Sequence, residues 1–157
     1  MHKPLLSMMI VTAALTAAPT LWAAGAADAI HAMEPSVRMA PPGQDQTGAY
    51  VTLHNSDKRD HALVKAASPA ARATELHTVV DDGGMKKMRP VPKIDIAAGG
   101  QTRLQPGGPH IMLIGLTQPL REGASVPITL TFEDGSSKKI SAPVRAITAP
   151  GAMSHGH

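Results

Sequence analysis

The sequence predicts an all-β domain, and two observations predict it. Short runs rich in Val, Ile, Leu and Thr recur along residues 29–144, and turns rich in Gly, Pro, Asp and Asn separate them. No segment keeps the 3.6-residue apolar period of a helix for long, with a single helical turn at Ser68–Arg72 as the exception. Many short strands at this spacing are typical of a β-sandwich or a Greek-key barrel.

Ten strands are predicted in chain order, most of them rich in Val, Ile, Leu and Thr, and turn residues separate them. Their predicted bounds are Ala29–Arg38, Gly48–Asn55, His61–Ala67, Ala73–Val80, Met85–Val91, Ile94–Ile96, Thr102–Leu104, His110–Leu116, Ser125–Thr131 and Lys138–Val144. The clearest breakers between them are Pro41-Pro42-Gly43, Asn55-Ser56-Asp57, Asp81-Asp82-Gly83-Gly84, Gly99-Gly100, Pro106-Gly107-Gly108-Pro109 and Asp134-Gly135-Ser136.

Residues 1–26 are predicted to be a secretory signal peptide that is cleaved from the domain. Lys3 supplies the positive charge, an uncharged apolar stretch follows, and Ala24-Gly25-Ala26 fits the A-x-A cleavage rule. A membrane anchor is the alternative interpretation, but the apolar stretch is short and is interrupted by Pro4 and Pro19. The domain is then expected over residues 27–146, with a flexible tail at 147–157 and no membrane span in the mature chain.

The composition points to copper and argues against nucleic acid. The chain has 9 Met, 8 His and no Cys, and an exported protein of this kind offers thioether and imidazole ligands, which suit Cu(I) and copper in general. The alternative is that Met fills core gaps in place of aromatic residues. A net charge of +3 with scattered basic residues and only 2% aromatic residues lacks the features of a nucleic-acid surface.

His77 and Met88 lie on either side of an Asp- and Gly-rich turn that predicts a β-hairpin. Asp-Gly is a strong hairpin signal because both central positions of the turn need positive φ. With Asp82 and Gly83 at the centre, His77 is predicted to pair directly with Met88, with Cβ atoms about 5 Å apart on one face. Met85 has the opposite parity and is predicted to point to the other face.

His110 and Met112 begin an apolar strand and are expected to share one of its faces. Residues i and i+2 lie roughly 7 Å apart along a strand, so one ion can reach both side chains while Ile111 faces the other way. If this strand meets the hairpin, the four side chains form a neutral His₂Met₂ site that favours Cu(I) over Zn(II) or Cu(II). Because an unpaired charge is costly in a core, the site is expected near solvent.

The stretch from Glu75 to Phe132 resembles the periplasmic copper chaperones of the PCu(A)C family. The signature of that family is His, ten residues, Met, twenty-one residues, His, one residue and Met, and the chain carries it at His77, Met88, His110 and Met112. Flanking segments are similar as well, namely Glu75-Leu76-His77, Met88-Arg89-Pro90-Val91, Pro106-Gly107-Gly108, Ile111-Met112-Leu113, Gly115-Leu116 and Pro119-Leu120.

The resemblance implies a cupredoxin-like Greek-key β-sandwich in the periplasm that binds Cu(I) and is not an enzyme. It further implies delivery of the copper ion to the CuA centre in a cytochrome c oxidase subunit, alongside a Sco-type thiol protein. The alternative function is copper scavenging or storage for homeostasis, which would use the same ligands.

Three other classes of protein fit the sequence less well. A histidine-brace oxygenase needs a mature N-terminal His, and cleavage ahead of His31 has a poor site. A blue-copper electron carrier needs a Cys ligand, which the chain lacks. A structural sandwich without metal leaves the His and Met spacing unexplained.

The remaining His and Met residues have weaker predictions. His54 is expected to be a surface or internally satisfied residue rather than a partner of a metal ligand. His61 is expected to be an exposed strand start, His31 and Met33 to be ordinary strand residues, and Met39 to be an outer contact of the site at most. In the tail, Met153, His155 and His157 could bind Cu(II), with a solvated tail as the alternative.

Overall fold

A computed structural model describes residues 24–146, which form one short helix and ten strands. The helix α1 spans Ala26–Ala29. The strands are β1 Ile30–Arg38, β2 Gln46–Asn55, β3 His61–Ala67, β4 Ala71–Asp82, β5 Met85–Pro90, β6 Ile94–Ile96, β7 Gln101–Leu104, β8 His110–Leu116, β9 Ser125–Phe132 and β10 Ser137–Arg145. All ten predicted strands are confirmed, with ends that differ by at most two residues.

The helical elements differ from the prediction. Helix α1 was not predicted, and its single turn is closed by Asp28, whose carboxylate accepts from the Gly25 N–H at 3.1 Å. Ala26 in this helix is buried and its N–H donates to Asp134 at 2.7 Å, so the predicted cleavage point after Ala26 falls inside a packed element. At Ser68–Arg72 the chain makes one hydrogen-bonded turn, in which the Ala71 N–H donates to the Ser68 carbonyl at 3.4 Å, and it continues from Ala71 as strand β4 rather than as a helix.

The strands form two packed layers joined along one continuous order. The order is β5-β4-β8-β2-β1-β10-β9-β3-β6, and β7 pairs with β2 outside this path. The joint is parallel, with Val37 of β1 opposite Val144 of β10. The first layer runs from β5 to β1 and the second from β10 to β6, and buried side chains from both layers form a single core. The predicted all-β, cupredoxin-like sandwich is therefore confirmed.

Aliphatic side chains, not Met, fill the core between the layers. Leu53, Ile111 and Leu130 are fully buried, whereas Met85 is 65% and Met88 58% exposed. Large apolar side chains normally prefer burial, so two exposed Met on one hairpin need a reason other than packing. The alternative that Met fills core gaps in place of aromatic residues is therefore wrong for Met33, Met85 and Met88, and Met39 alone among the described Met residues packs against the core.

The outer face of the first layer carries the predicted metal ligands. Side chains on a strand alternate, so the buried Leu76 and Ile111 send their neighbours on β4 and β8 outwards. Among residues 24–146, no helix is long and apolar enough to cross a membrane.

Candidate metal centre

The β4–β5 hairpin has a different register from the predicted one. Gly83 and Gly84 are its central residues, with φ of 64° and 88°, and Asp82 pairs with Met85. Two consecutive positive φ angles are easiest for Gly, so the turn lies one residue further along than the Asp-Gly pair suggests. Met88 is consequently opposite Val79 rather than His77, and the predicted direct pairing is wrong.

The error of two residues leaves the predicted face intact. Val79 and His77 have the same parity on β4, so Met88 lies on the same face as His77, one diagonal away. Met85 is opposite Asp82, which has the other parity, so its predicted orientation away from Met88 agrees with the register. Parity, rather than the particular partner, is what brings the hairpin ligands together.

Strand β8 lies directly beside β4, which brings the second pair of ligands to the first. His77 pairs with His110, and their ring centroids are 5.7 Å apart. Met112 pairs with Glu75 on β4 and with Gly48 on β2, while Ile111 between them is completely buried. The predicted shared face of His110 and Met112 thus agrees with the strand register.

Three of the four predicted ligands line one open cavity of about 380 Å³ on this face, and the fourth lies just beyond it. Met88, His110 and Met112 are in its wall, and His77 is in contact with His110. The exposure is graded, because His110 is 4% exposed and Met88 is 58% exposed. The cavity therefore has a fixed, buried imidazole floor and a solvent-accessible thioether rim.

Hydrogen bonds leave one bare nitrogen on each imidazole. His110 donates from Nδ1 to the Gly108 carbonyl at 2.8 Å, so its Nε2 carries a lone pair. His77 donates from Nε2 to a Glu75 carboxylate oxygen at 2.7 Å, so its Nδ1 carries a lone pair. The Nδ1 of His77 is buried and has no hydrogen-bond partner within the described residues. A buried acceptor without a partner is costly, and a cation is a partner that would satisfy it.

Two residues of this site, Glu75 and Tyr50, were not predicted to belong to it. Glu75 is on the same face as His77, two residues before it, and the i, i+2 spacing on a predicted strand could have indicated it. The Tyr50 ring lies 6.4 Å from the His110 ring. Its hydroxyl lies over Gly48 of the same strand, where an added Cβ would be only 2.6 Å from the hydroxyl oxygen. Gly48 thus leaves the room that Tyr50 occupies in the cavity wall.

His61 is buried, so its predicted exposure is wrong. Its Nδ1 is 2.6 Å from Glu133 and its Nε2 is 3.0 Å from Asp57, and both carboxylates lie outside the metal centre. The Glu133 hydrogen bond raises the pKa of His61, against the opposing effect of burial and with further help from Asp57. Sequence gave no signal for this cluster, because Glu133 lies 72 positions away.

The other His and Met residues lie away from the cavity. His54 on β2 and His31 on β1 are cross-strand neighbours with ring centroids 6.3 Å apart, and Met33 is exposed on β1. Met39 packs against the core instead of lining the cavity. The predicted Cu(II) ligands Met153, His155 and His157 lie outside the described residues.

The donor set at the centre suits a soft monovalent ion. Within residues 24–146, no three His, Asp or Glu side chains are grouped so that they could hold a metal. Zn(II) sites normally draw on such groups or on Cys, whereas two thioethers beside two imidazoles favour Cu(I).

Comparison with known proteins relates the chain to one family. The family model described as "Putative lipoprotein LpqE-like" matches residues 30–144. A relative from Leifsonia xyli, "Putative lipoprotein Lxx21020", is 35% identical over 120 residues, which cover 76% of this chain and 71% of the relative.

Solved structures agree with the fold. The Cu(I)-bound DR1885 protein of Deinococcus radiodurans is 39% identical, with a TM-score of 0.62 over 76% of this chain and 81% of that one. Its apo form is 37% identical, with a TM-score of 0.60 over 90% and 95%. A copper-bound PCuAC domain from PmoF2, at 23% identity and a TM-score of 0.66, covers 80% of this chain and 97% of its own, and it supports the fold alone.

Proposed function

Because the chain belongs to the LpqE-like family of PCu(A)C domains, we propose that it is a Cu(I)-binding metallochaperone that transfers copper to a partner protein. The proposed ligands are His77, Met88, His110 and Met112. The observation that carries this assignment is the buried Nδ1 of His77, which has no partner among the described residues and belongs to a ring 5.7 Å from that of His110. A relative 39% identical to the chain has been solved with Cu(I).

The surroundings of the ligands are consistent with a monovalent cargo. The four ligands are neutral, so the bound ion keeps its single positive charge. The Glu75 carboxylate, bonded to His77, offsets part of that charge without becoming a ligand. A divalent ion would leave more charge uncompensated, and it would gain less from two thioethers.

Graded exposure supports transfer. Met88 is the most exposed of the proposed ligands, so an acceptor can approach the ion from that side and replace this thioether first. His110 is buried and fixed by the Gly108 carbonyl, so it retains the ion until the acceptor has bound. Thiolate ligands of an acceptor are anionic and soft, so Cu(I) transfer from neutral thioethers to thiolates is downhill. The proposed acceptor is the CuA centre of cytochrome c oxidase, and a Sco-type thiol protein is the proposed second partner in this delivery.

The proposed site of action is the periplasm. Export would follow from residues 1–26, whose charge and apolar pattern predict a signal peptide. The family description as a lipoprotein is consistent with an exported chain.

A complementation experiment separates delivery from scavenging. In a host that lacks this chain, cytochrome c oxidase activity at limiting copper is expected to fall, and the wild-type gene should restore it. The double variant Met88→Ala, Met112→Ala should fail to restore activity, whereas Met85→Ala should succeed. Unchanged oxidase activity combined with lost tolerance to high copper would contradict delivery and identify the chain as a scavenger.

A further inference from the structure

A second pair of histidines lies on the outer face of the first layer, away from the candidate metal centre. His31 of β1 is directly opposite His54 of β2. Their ring centroids are 6.3 Å apart with an angle of 25° between the planes. His31 is exposed and His54 half-buried, so solvent and ions reach both rings.

These two rings differ from the other three histidines of the domain in their bonding. His61, His77 and His110 each have a ring nitrogen within hydrogen-bond distance of a protein oxygen. Among the residues that the structure describes, no such bond is made by His31 or His54. Neither ring is therefore held by a protein hydrogen bond, and each imidazole can offer one nitrogen lone pair to a metal ion.

The spacing of the rings is compatible with a shared ion. A metal lies about 2.0–2.1 Å from an imidazole nitrogen, so two imidazoles on one ion have centroids roughly 5–6.5 Å apart. The separation of 6.3 Å falls in this range, as does the 5.7 Å between His77 and His110. Cross-strand partners on one face keep this spacing with small side-chain rotations.

We propose that His31 and His54 form a second metal site, for a divalent transition cation rather than for the Cu(I) cargo. Imidazole suits Cu(II) and Zn(II), and the general order of affinity places Cu(II) above Zn(II). On the other side of β2, Gln101 of β7 is directly opposite His54, so its amide oxygen is the candidate for a third metal ligand. Water completes the coordination, since His31 is exposed and His54 is half-buried.

The second site is separate from the candidate metal centre. His54 is four residues along β2 from Tyr50, whose ring lies 6.4 Å from that of His110, and four residues span about 14 Å at roughly 3.4 Å per residue. That distance exceeds the screening length of physiological salt, so the two ions have little influence on each other. Occupancy of the two sites should therefore be independent.

The test is a Cu(II) titration of the full mature chain whose soft site has first been filled with one equivalent of Ag(I), a redox-inert soft cation. One Cu(II) equivalent is expected, with an electron paramagnetic resonance spectrum of nitrogen coordination. His31→Gln and His54→Gln should each lower this affinity at least tenfold and leave Cu(I) affinity unchanged. The double variant His155→Ala, His157→Ala should retain the site. Unchanged Cu(II) affinity in both Gln variants, or its loss on substitution of the tail histidines alone, would overturn the proposal.

A variant that is expected to raise Cu(II) affinity distinguishes loss of the site from loss of folding. Gln101→His places a third imidazole beside His54, and Cu(II) affinity is expected to rise at least tenfold. The same substitution in the His54→Gln background should give no such gain. A gain of equal size in both backgrounds would mean that the site does not involve His54.

Discussion

The two proposed imidazole ligands are oriented by different protein oxygens. A backbone carbonyl holds His110 and a carboxylate holds His77, so each ring presents a defined nitrogen. The carbonyl is fixed by the chain before β8, whereas the Glu75 side chain is 48% exposed and could rotate away. Glu75 is therefore the residue through which the His77 ligand can be tested without removing it.

Glu75→Ala is expected to weaken Cu(I) binding by roughly 10- to 100-fold, the usual effect of losing a group that orients a metal-bound histidine. Glu75→Gln keeps an acceptor oxygen but loses the charge, so it should have a smaller effect. Competition with a chromophoric Cu(I) chelator measures both. Glu122→Ala, on an exposed loop, is the matched control and should bind as the wild type does. Wild-type affinity in Glu75→Ala would mean that His77 needs no orienting group.

At the residue scale, the spacing of His and Met was informative and the supporting groups were not. A composition rich in Met and His and free of Cys points to soft-metal binding, and the spacing of these residues identifies His77, Met88, His110 and Met112 as the candidate ligands. Strand parity places Glu75 on the same face as His77 and could have indicated it, but it was not predicted to contact His77. His61 shows the limit, because its burial depends on a carboxylate that only the folded chain brings near.

The β4–β5 hairpin is the element on which Met88 depends. Its turn needs positive φ at both Gly83 and Gly84. A β-branched residue in this conformation costs about 1–2 kcal/mol, whereas Asn tolerates it. The strand itself is exposed along its whole length, so little packing would oppose a distorted turn.

Gly83→Val is expected to lower Cu(I) affinity several-fold, because the turn distorts and Met88 loses its place. Gly83→Asn is the control and should bind within about twofold of the wild type, since Asn-Gly is the preferred pair for this turn. Chelator competition and thermal unfolding measure binding and stability separately. Equal affinity of the Val and Asn variants would show that the hairpin does not determine the position of Met88.

At the element scale, strand parity was more robust than strand register. The predicted turn centre was wrong by one residue, which changes the partner of His77 from Met88 to Pro90. Since the pairing moves by two positions, every side chain keeps its face. The direct contact of β4 with β8 could not be predicted, because it depends on the order of strands in the layer and not on local sequence.

The His61 cluster links pH to the stability of the whole molecule. Its hydrogen bond to Glu133 raises the pKa of His61 above 6.5, so this stabilisation is complete below pH 6.5 and is lost as pH rises through the raised value. Burial acts to raise the pKa of Glu133, but hydrogen bonds from His61 and the Ala62 N–H hold it below 4.5. That contribution is lost in acid, so the cluster stabilises most between about pH 4.5 and pH 6.5.

The stability lost in His61→Gln should therefore be larger at about pH 6 than at about pH 8.5. Urea unfolding of the metal-free protein at the two pH values measures the difference. His54→Gln removes an imidazole that has no carboxylate partner among the described residues, and it should cost little at either pH. A His61→Gln deficit that is the same at both pH values would contradict the assigned ionisation of the cluster.

At the scale of the whole molecule, the fold was predictable because most strands are short apolar runs between strong turn signals, and the polar β5 and β7 are delimited by the turns on either side of them. All ten predicted strands are present, whereas α1 is too short to leave a periodic signal. The predicted location of the site near solvent agrees with the exposed Met88, because a neutral ligand set cannot hold a charge deep in the core.

A Cu(I) competition titration of three Met→Ala variants tests the proposed site most directly. Met85 and Met88 are on the same exposed strand, at 65% and 58% exposure, but they point to opposite faces. The wild type should bind one equivalent tightly, Met88→Ala and Met112→Ala should each bind at least tenfold more weakly, and Met85→Ala should match the wild type. Affinity unchanged by loss of Met88 and of Met112, or lowered equally by loss of Met85, would contradict the His₂Met₂ assignment.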